Sequence, residues 1–192
     1  MNTPHSTDIK LFLVLLGSKA PGRNVEQHDY FFGIGASLKE LVPVMNAFWP
    51  EAGASLHLDG WREVNYVDGY RVQVVLKQQA GIAPAKKLFF INLGGYQANK
   101  LEEQHYTVLT VADDRTQAVQ GAKKTVFFKT NTMKGAGSHI DEKYGIDVDD
   151  VYRIEDILAN EWKERYGILI TPAVDVNEDQ VNLGYFKLDK IK

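Results

Sequence analysis

The chain contains no cysteine in its 192 residues. Disulfide staples, thiolate metal sites and cysteine nucleophiles are therefore excluded. It also lacks a charge excess, with 22 basic residues against 25 acidic ones and a formal net charge of −3. A dedicated nucleic-acid surface needs a clustered basic excess, so that function class is disfavoured. Lys123, Lys124, Lys129 and Lys134 form a mild cluster that reads as a solvated face. There is no long apolar run: residues 11–16 are far too few to cross a bilayer. Asp8 and Lys10 precede that run and Gly17-Ser18-Lys19 follow it, which is not the pattern of a signal peptide. Familiar catalytic strings are missing too, with neither a Gly-x-Ser-x-Gly elbow nor a His-Glu-x-x-His helix. Gly33-Ile34-Gly35-Ala36-Ser37 precedes a helix but lacks the third glycine of a dinucleotide fingerprint and the lysine of a P-loop. The expectation is a soluble cytoplasmic protein with no nucleic-acid or membrane partner.

What is present suits a globular chain: 44% of residues are apolar and 11% aromatic, enough to bury a real core. Residues 10–16 are apolar on both faces, as in a doubly covered strand. A second strand is expected over residues 25–34. There Glu26, His28, Tyr30, Phe32 and Ile34 would share one face, placing His28 on an apolar surface. Ser37 and Glu40 read as a capping box opening a helix that carries Leu38, Leu41, Val42, Met45 and Phe48. Residues 56–64 read as extended, and Asp68-Gly69 as a hairpin turn before a last strand over 70–76.

This β-β-α-β-β pattern is then written a second time. Lys87-Leu88-Phe89-Phe90-Ile91-Asn92-Leu93-Gly94 follows the pattern of Lys10 to Gly17, and Glu103-Gln104-His105 repeats Glu26-Gln27-His28 at the same spacing. After a helix over residues 116–128, Ser138-His139-Ile140-Asp141 matches the segment around His57-Leu58-Asp59, with an insertion in residues 130–137. Asp150-Val151-Tyr152-Arg153 likewise matches Asp68-Gly69-Tyr70-Arg71. The expected organisation is an N-terminal tail (1–9), a first repeat unit (10–77), a linker (78–86), a second repeat unit (87–158) and an extension (159–192) packed on the repeats. The fold class is α+β: two tandem β-β-α-β-type repeats with pseudo-two-fold symmetry, plus a C-terminal helix (155–166) and a β-hairpin (167–174 with 181–188).

The string Ala20-Pro21-Gly22-Arg23-Asn24-Val25-Glu26-Gln27-His28-Asp29, followed by Leu56-His57-Leu58-Asp59-Gly60-Trp61 and Val67-Asp68-Gly69-Tyr70-Arg71-Val72, resembles a small bacterial family, domain of unknown function 1543. The resemblance implies one or two tandem copies per chain. The second unit departs from it where the Pro-Gly loop and the turn glycine are lost. It implies no activity and assigns no residue a role.

The polar residues carry two readings. Glu26 and His28, His57 and Asp59, Glu103 and His105, and His139 and Asp141 form Glu-x-His and His-x-Asp motifs, each sharing a strand face. If the two strands of a unit were neighbours, two imidazoles and two carboxylates would converge, a ligand set for zinc or iron. The preferred reading is structural: a histidine on an apolar face must satisfy both ring nitrogens, and a carboxylate two residues away is its natural partner. Arg71 and Arg153 form a second set with Asp68 and Asp150, either as local ion pairs or as anion contacts. The function favoured is therefore a non-catalytic tandem-repeat protein binding a small molecule or a protein partner, with a homo-oligomer allowed and no resident cofactor. The alternative is a metal-dependent, hydrolase-like enzyme using His28, His57, His105 and His139.

Overall fold

A computed structural model of the chain describes residues 9–79, 86–96, 101–124, 146–174 and 177–191. In chain order its elements are β1 (Lys10–Ser18), β2 (Gln27–Gly35), α1 (Leu38–Phe48), β3 (His57–Glu63), β4 (Tyr66–Val67), β5 (Tyr70–Leu76), β6 (Lys87–Tyr96), β7 (Glu103–Ala112), α2 (Arg115–Ala122), β8 (Ile146–Arg153), α3 (Ile154–Ile157), α4 (Asn160–Arg165), β9 (Tyr166–Pro172) and β10 (Asn182–Lys187). They divide into two compact units, residues 1–82 with 158–192, and residues 83–157. The chain is thus a mixed α+β protein. Among the described residues no helix is long and apolar enough to cross a membrane.

In the first unit β1 is central because it is apolar throughout, with Leu11, Phe12, Val14 and Leu16 all buried. It lies between β2 and β3, antiparallel to both, in a sheet ordered β10-β3-β1-β2. Helix α1 buries Leu38, Leu41 and Met45, the i, i+3, i+7 stripe of an amphipathic helix. Burying each stabilises the fold by about 1.5–3 kcal/mol. Pro43 sits early enough in α1 to be tolerated. The capping box is not formed as expected. Ser37 makes no side-chain cap, and the Glu40 carboxylate accepts instead from the Ala36 amide at 2.8 Å. Asp68 and Gly69 both take positive φ, 52° and 78°, the geometry of a two-residue hairpin turn joining β4 to β5.

The C-terminal segment departs from expectation. The helix expected over 155–166 is two short helices, α3 and α4, and Tyr166 passes directly into β9. Strands β9 and β10 do not form a hairpin: β9 pairs with β5 and β10 with β3. The cause is that β3 and β5 each offer an unpaired edge, and covering both leaves fewer open edges than pairing β9 with β10 would. The Asp179 carboxylate fixes this routing by accepting from the amides of Asn65 and Tyr66, at 2.8 and 3.1 Å.

In the second unit β6 is central, between β7 and β8, both antiparallel. Phe89, Ile91 and Leu93 on β6 pack against Ala112, Ala118 and Ala122. Helix α2 starts at the Asp114 cap, whose side chain accepts from the Gln117 amide at 2.9 Å. Each central strand carries a register shift at the matching place, between Leu15 and Leu16 in β1 and between Asn92 and Leu93 in β6. This register corrects one match made from the sequence. Asp150, Tyr152 and Arg153 lie on β8, which pairs with β6 as β3 pairs with β1, so they are not counterparts of the turn and strand at Asp68, Tyr70 and Arg71. His139, Asp141, the insertion at 130–137, the linker residues 80–85 and the end of the expected helix over 116–128 lie outside the described residues.

Candidate metal centre

The site of the first unit begins with a residue that has no side chain. Gly17, near the end of β1, pairs with His28 on β2 and with His57 on β3. The two strands that carry the histidines are therefore not neighbours; β1 lies between them. A Cβ at Gly17 would collide with the Asp59 carboxylate and stand 2.7 Å from His57 Nε2. The absence of that atom lets side chains from β2 and β3 meet above the central strand.

Four groups meet there. His57 Nε2 lies 2.7 Å from Glu26 Oε1 and 3.3 Å from Asp59 Oδ1, and His28 Nε2 lies 2.9 Å from Asp59 Oδ2. The pairing is partly crossed relative to the motifs: Glu26 reaches His57 and Asp59 reaches His28, while His57 also keeps the expected carboxylate two residues away, Asp59. Burial is also reversed. The His28 side chain is 48% exposed, because the first turns of β2 are open and only Phe31 to Gly35 are buried. His57 is the buried histidine, with its side chain 4% exposed.

The hydrogen-bond chemistry of His57 decides what these contacts can be. Its Nδ1 lies 2.8 Å from the Ser55 carbonyl, which can only accept, so Nδ1 carries the proton and donates. Ser55 is itself held by its hydroxyl, which donates to the Ala52 carbonyl and contacts the buried Ser18 hydroxyl at 2.7 Å. In the neutral ring Nε2 is then a bare lone pair facing two carboxylate oxygens, an arrangement that repels unless a proton on Nε2 or a metal ion lies between them. Despite the short separations, neither His57 Nε2 nor Asp59 Oδ2 makes a hydrogen bond of acceptable geometry. Short separations without hydrogen bonds mean that these atoms are close but not aligned as donor and acceptor. One ligand atom each from Glu26, His57 and Asp59 lies within 4.8 Å of the others. A divalent ion with bonds of about 2.0–2.2 Å to nitrogen and oxygen fits that spread. A histidine whose second ring nitrogen is tied to a carbonyl is the usual support of a metal-bound imidazole. Tyr185 on β10 lays its ring on His57, centroids 4.2 Å apart and planes 34° apart.

The remaining candidates fall elsewhere. Arg71 is exposed on β5, in the other sheet of the unit. Arg153 pairs with Glu155, not with Asp150, whose carboxylate receives Tyr152 Oη at 3.0 Å. In the second unit Glu103 and His105 join Asp149, which the sequence reading did not single out. Also missed were Gly17 and Gly94. Their signal was a glycine closing the first strand of each unit, at the spacing that separates His28 from His105.

A crystal structure of the protein Il1583 from Idiomarina loihiensis is similar to this chain, with 26% identity and a TM-score of 0.64 over 94% of this chain and 99% of that one. No curated protein matches the chain. A family model described as Domain of Unknown Function (DUF1543) matches residues 23–74, a span that holds Glu26, His28, His57 and Asp59. Over those residues of its first unit, the chain is similar to this family of unknown function.

Proposed function

We propose that the chain is a metal-binding protein whose first unit holds a divalent ion of the zinc or iron type on His57, Glu26, Asp59 and His28. The observation that carries this reading is the buried Nε2 of His57, 2.7 Å from Glu26 Oε1 and 3.3 Å from Asp59 Oδ1 yet without a hydrogen bond. Two imidazoles and two carboxylates form a mixed nitrogen and oxygen set suited to those metals. It replaces the structural network as the preferred reading, because the buried Nε2 of His57 and Oδ2 of Asp59 would be hydrogen-bonded in such a network and are not. We also read the two units as tandem copies of one ancestral unit, supported by the shared strand order, the matching register shift and the glycine at the same place on each central strand. A cytoplasmic setting fits the lack of cysteine.

Metal-assisted hydrolysis is the second reading, favoured by one observation. Glu26 and His28 are 41% and 48% exposed, which leaves one side of the site open to water and substrate.

The test is Gly17→Ala, which removes no ligand. Gly17 does not have positive φ, so alanine can take its backbone conformation, but the new Cβ occupies the space of the Asp59 carboxylate. Zinc at about a hundredfold excess over its Kd should stabilise the native chain by about 2.7 kcal/mol. Differential scanning fluorimetry should then show a Tm rise of about 5–10 °C. The Gly17→Ala chain is expected to fold and to lose most of that rise. An unchanged zinc response in Gly17→Ala would remove this reading.

A further inference from the structure

The second unit carries its own polar cluster, with the same three donor types as the Glu26, His57 and Asp59 group of the first. Glu103, His105 and Asp149 each place one ligand atom within 4.8 Å of the others. His105 Nδ1 lies 3.2 Å from Asp149 Oδ2. The floor is again a glycine on the central strand: a Cβ at Gly94 would collide with the Asp149 carboxylate and come within 2.6 Å of Glu103 Oε1. Gly94 pairs with His105 on one side and Asp147 on the other, as Gly17 pairs with His28 and His57. The backbone position of the first unit's buried histidine is thus held by an aspartate in the second. Asn92 adds a further difference. It stands where β1 has Leu15, its Nδ2 lies 3.3 Å from His105 Nδ1, and its buried Oδ1 has no hydrogen-bond partner.

We infer that the second unit is a separate cation site built on two carboxylates and one imidazole, for which Mn2+ is the probe. The set is one imidazole and two carboxylates, as in the cluster of Glu26, His57 and Asp59, with the Asn92 amide beside it. Oxygen-rich sets suit manganese, magnesium and calcium, whereas imidazole-rich sets suit zinc and iron. Asn92, whose Nδ2 contacts His105, leaves its Oδ1 an unmet acceptor beside the cluster, which is costly unless a cation or a donor meets it. This inference goes beyond the reading of the first unit and stands or falls independently of it.

The experiment uses the full chain with the first site disabled by Glu26→Gln and Asp59→Asn, and Mn2+ alone as the probe. Bound Mn2+ is read from the loss of the free-ion signal in electron paramagnetic resonance. About one Mn2+ per chain is expected in this background. Adding Asp149→Asn should weaken binding at least tenfold, and adding Gly94→Ala should do the same without removing a ligand. His105→Gln, at a half-exposed position, serves as the alternative where Asp149→Asn fails to fold, with circular dichroism as the check. No bound Mn2+ in the disabled background overturns the inference. So does Mn2+ binding that these second-unit substitutions leave unchanged. Zinc binding at the first unit can fail while this result holds, and the converse is equally readable.

Discussion

Two histidines of the first unit carry the same side chain into opposite environments. His57 is buried under Tyr185 with its Nδ1 committed to a backbone carbonyl, whereas His28 is half-exposed at the open start of β2. Truncation should separate structure from binding. His57→Ala leaves a hole and an unmet Ser55 carbonyl, so it is expected to cost about 2–3 kcal/mol in metal-free chemical denaturation. His28→Ala touches little buried surface and should stay within about 0.5 kcal/mol of the native chain. Both should weaken zinc binding. If His28→Ala costs as much stability as His57→Ala, the four groups are a structural network and not a binding site. At this scale the sequence showed the right residue types but not which histidine is buried. Alternation along β2 puts His28 in line with Phe32 and Ile34, yet burial begins only at Phe31 because the first residues of the strand lie beyond the covered part of the sheet.

Among the elements, the strands and the Asp68-Gly69 turn were legible, since apolar runs and turn chemistry are local properties. Strand order was not. Nothing in the spacing of His28 and His57 says that β1 runs between their strands, and the crossing of side chains over Gly17 depends on that order. The C-terminal strands misled for a related reason: two strands separated by a short polar link resemble a hairpin until the open edges of β3 and β5 are known. Asp179 is the residue that holds the alternative routing. Asp179→Ala leaves the amides of Asn65 and Tyr66 without their acceptor and should destabilise the chain by about 1–2 kcal/mol in urea denaturation. Asp179→Asn, which keeps an acceptor oxygen, should recover part of that loss. No loss in Asp179→Ala would mean that β9 and β10 hold their places without this anchor.

For the whole molecule, the repeat proposed from the sequence leads to Glu103 and His105 of the second cluster but not to Asp149. His139 and Asp141 match His57 and Asp59 in letters, whereas the register of β8 places Asp149 at the position of Asp59. Sequence matching rewards identical residues, and backbone pairing does not depend on them. Each unit thus has a central strand with a glycine beneath a cluster of one Glu, one His and one Asp. The central claim is that the floor at Gly17 exists to hold a cation. Its most direct measurement is an anomalous-difference map at the zinc absorption edge, from crystals of the full chain grown with zinc. The expected result is a peak above Gly17, within about 2.0–2.2 Å of His57 Nε2 and of carboxylate oxygens from Glu26 and Asp59. A map with no peak there, and with Nε2 of His57 donating a well-formed hydrogen bond to Glu26, would contradict the account.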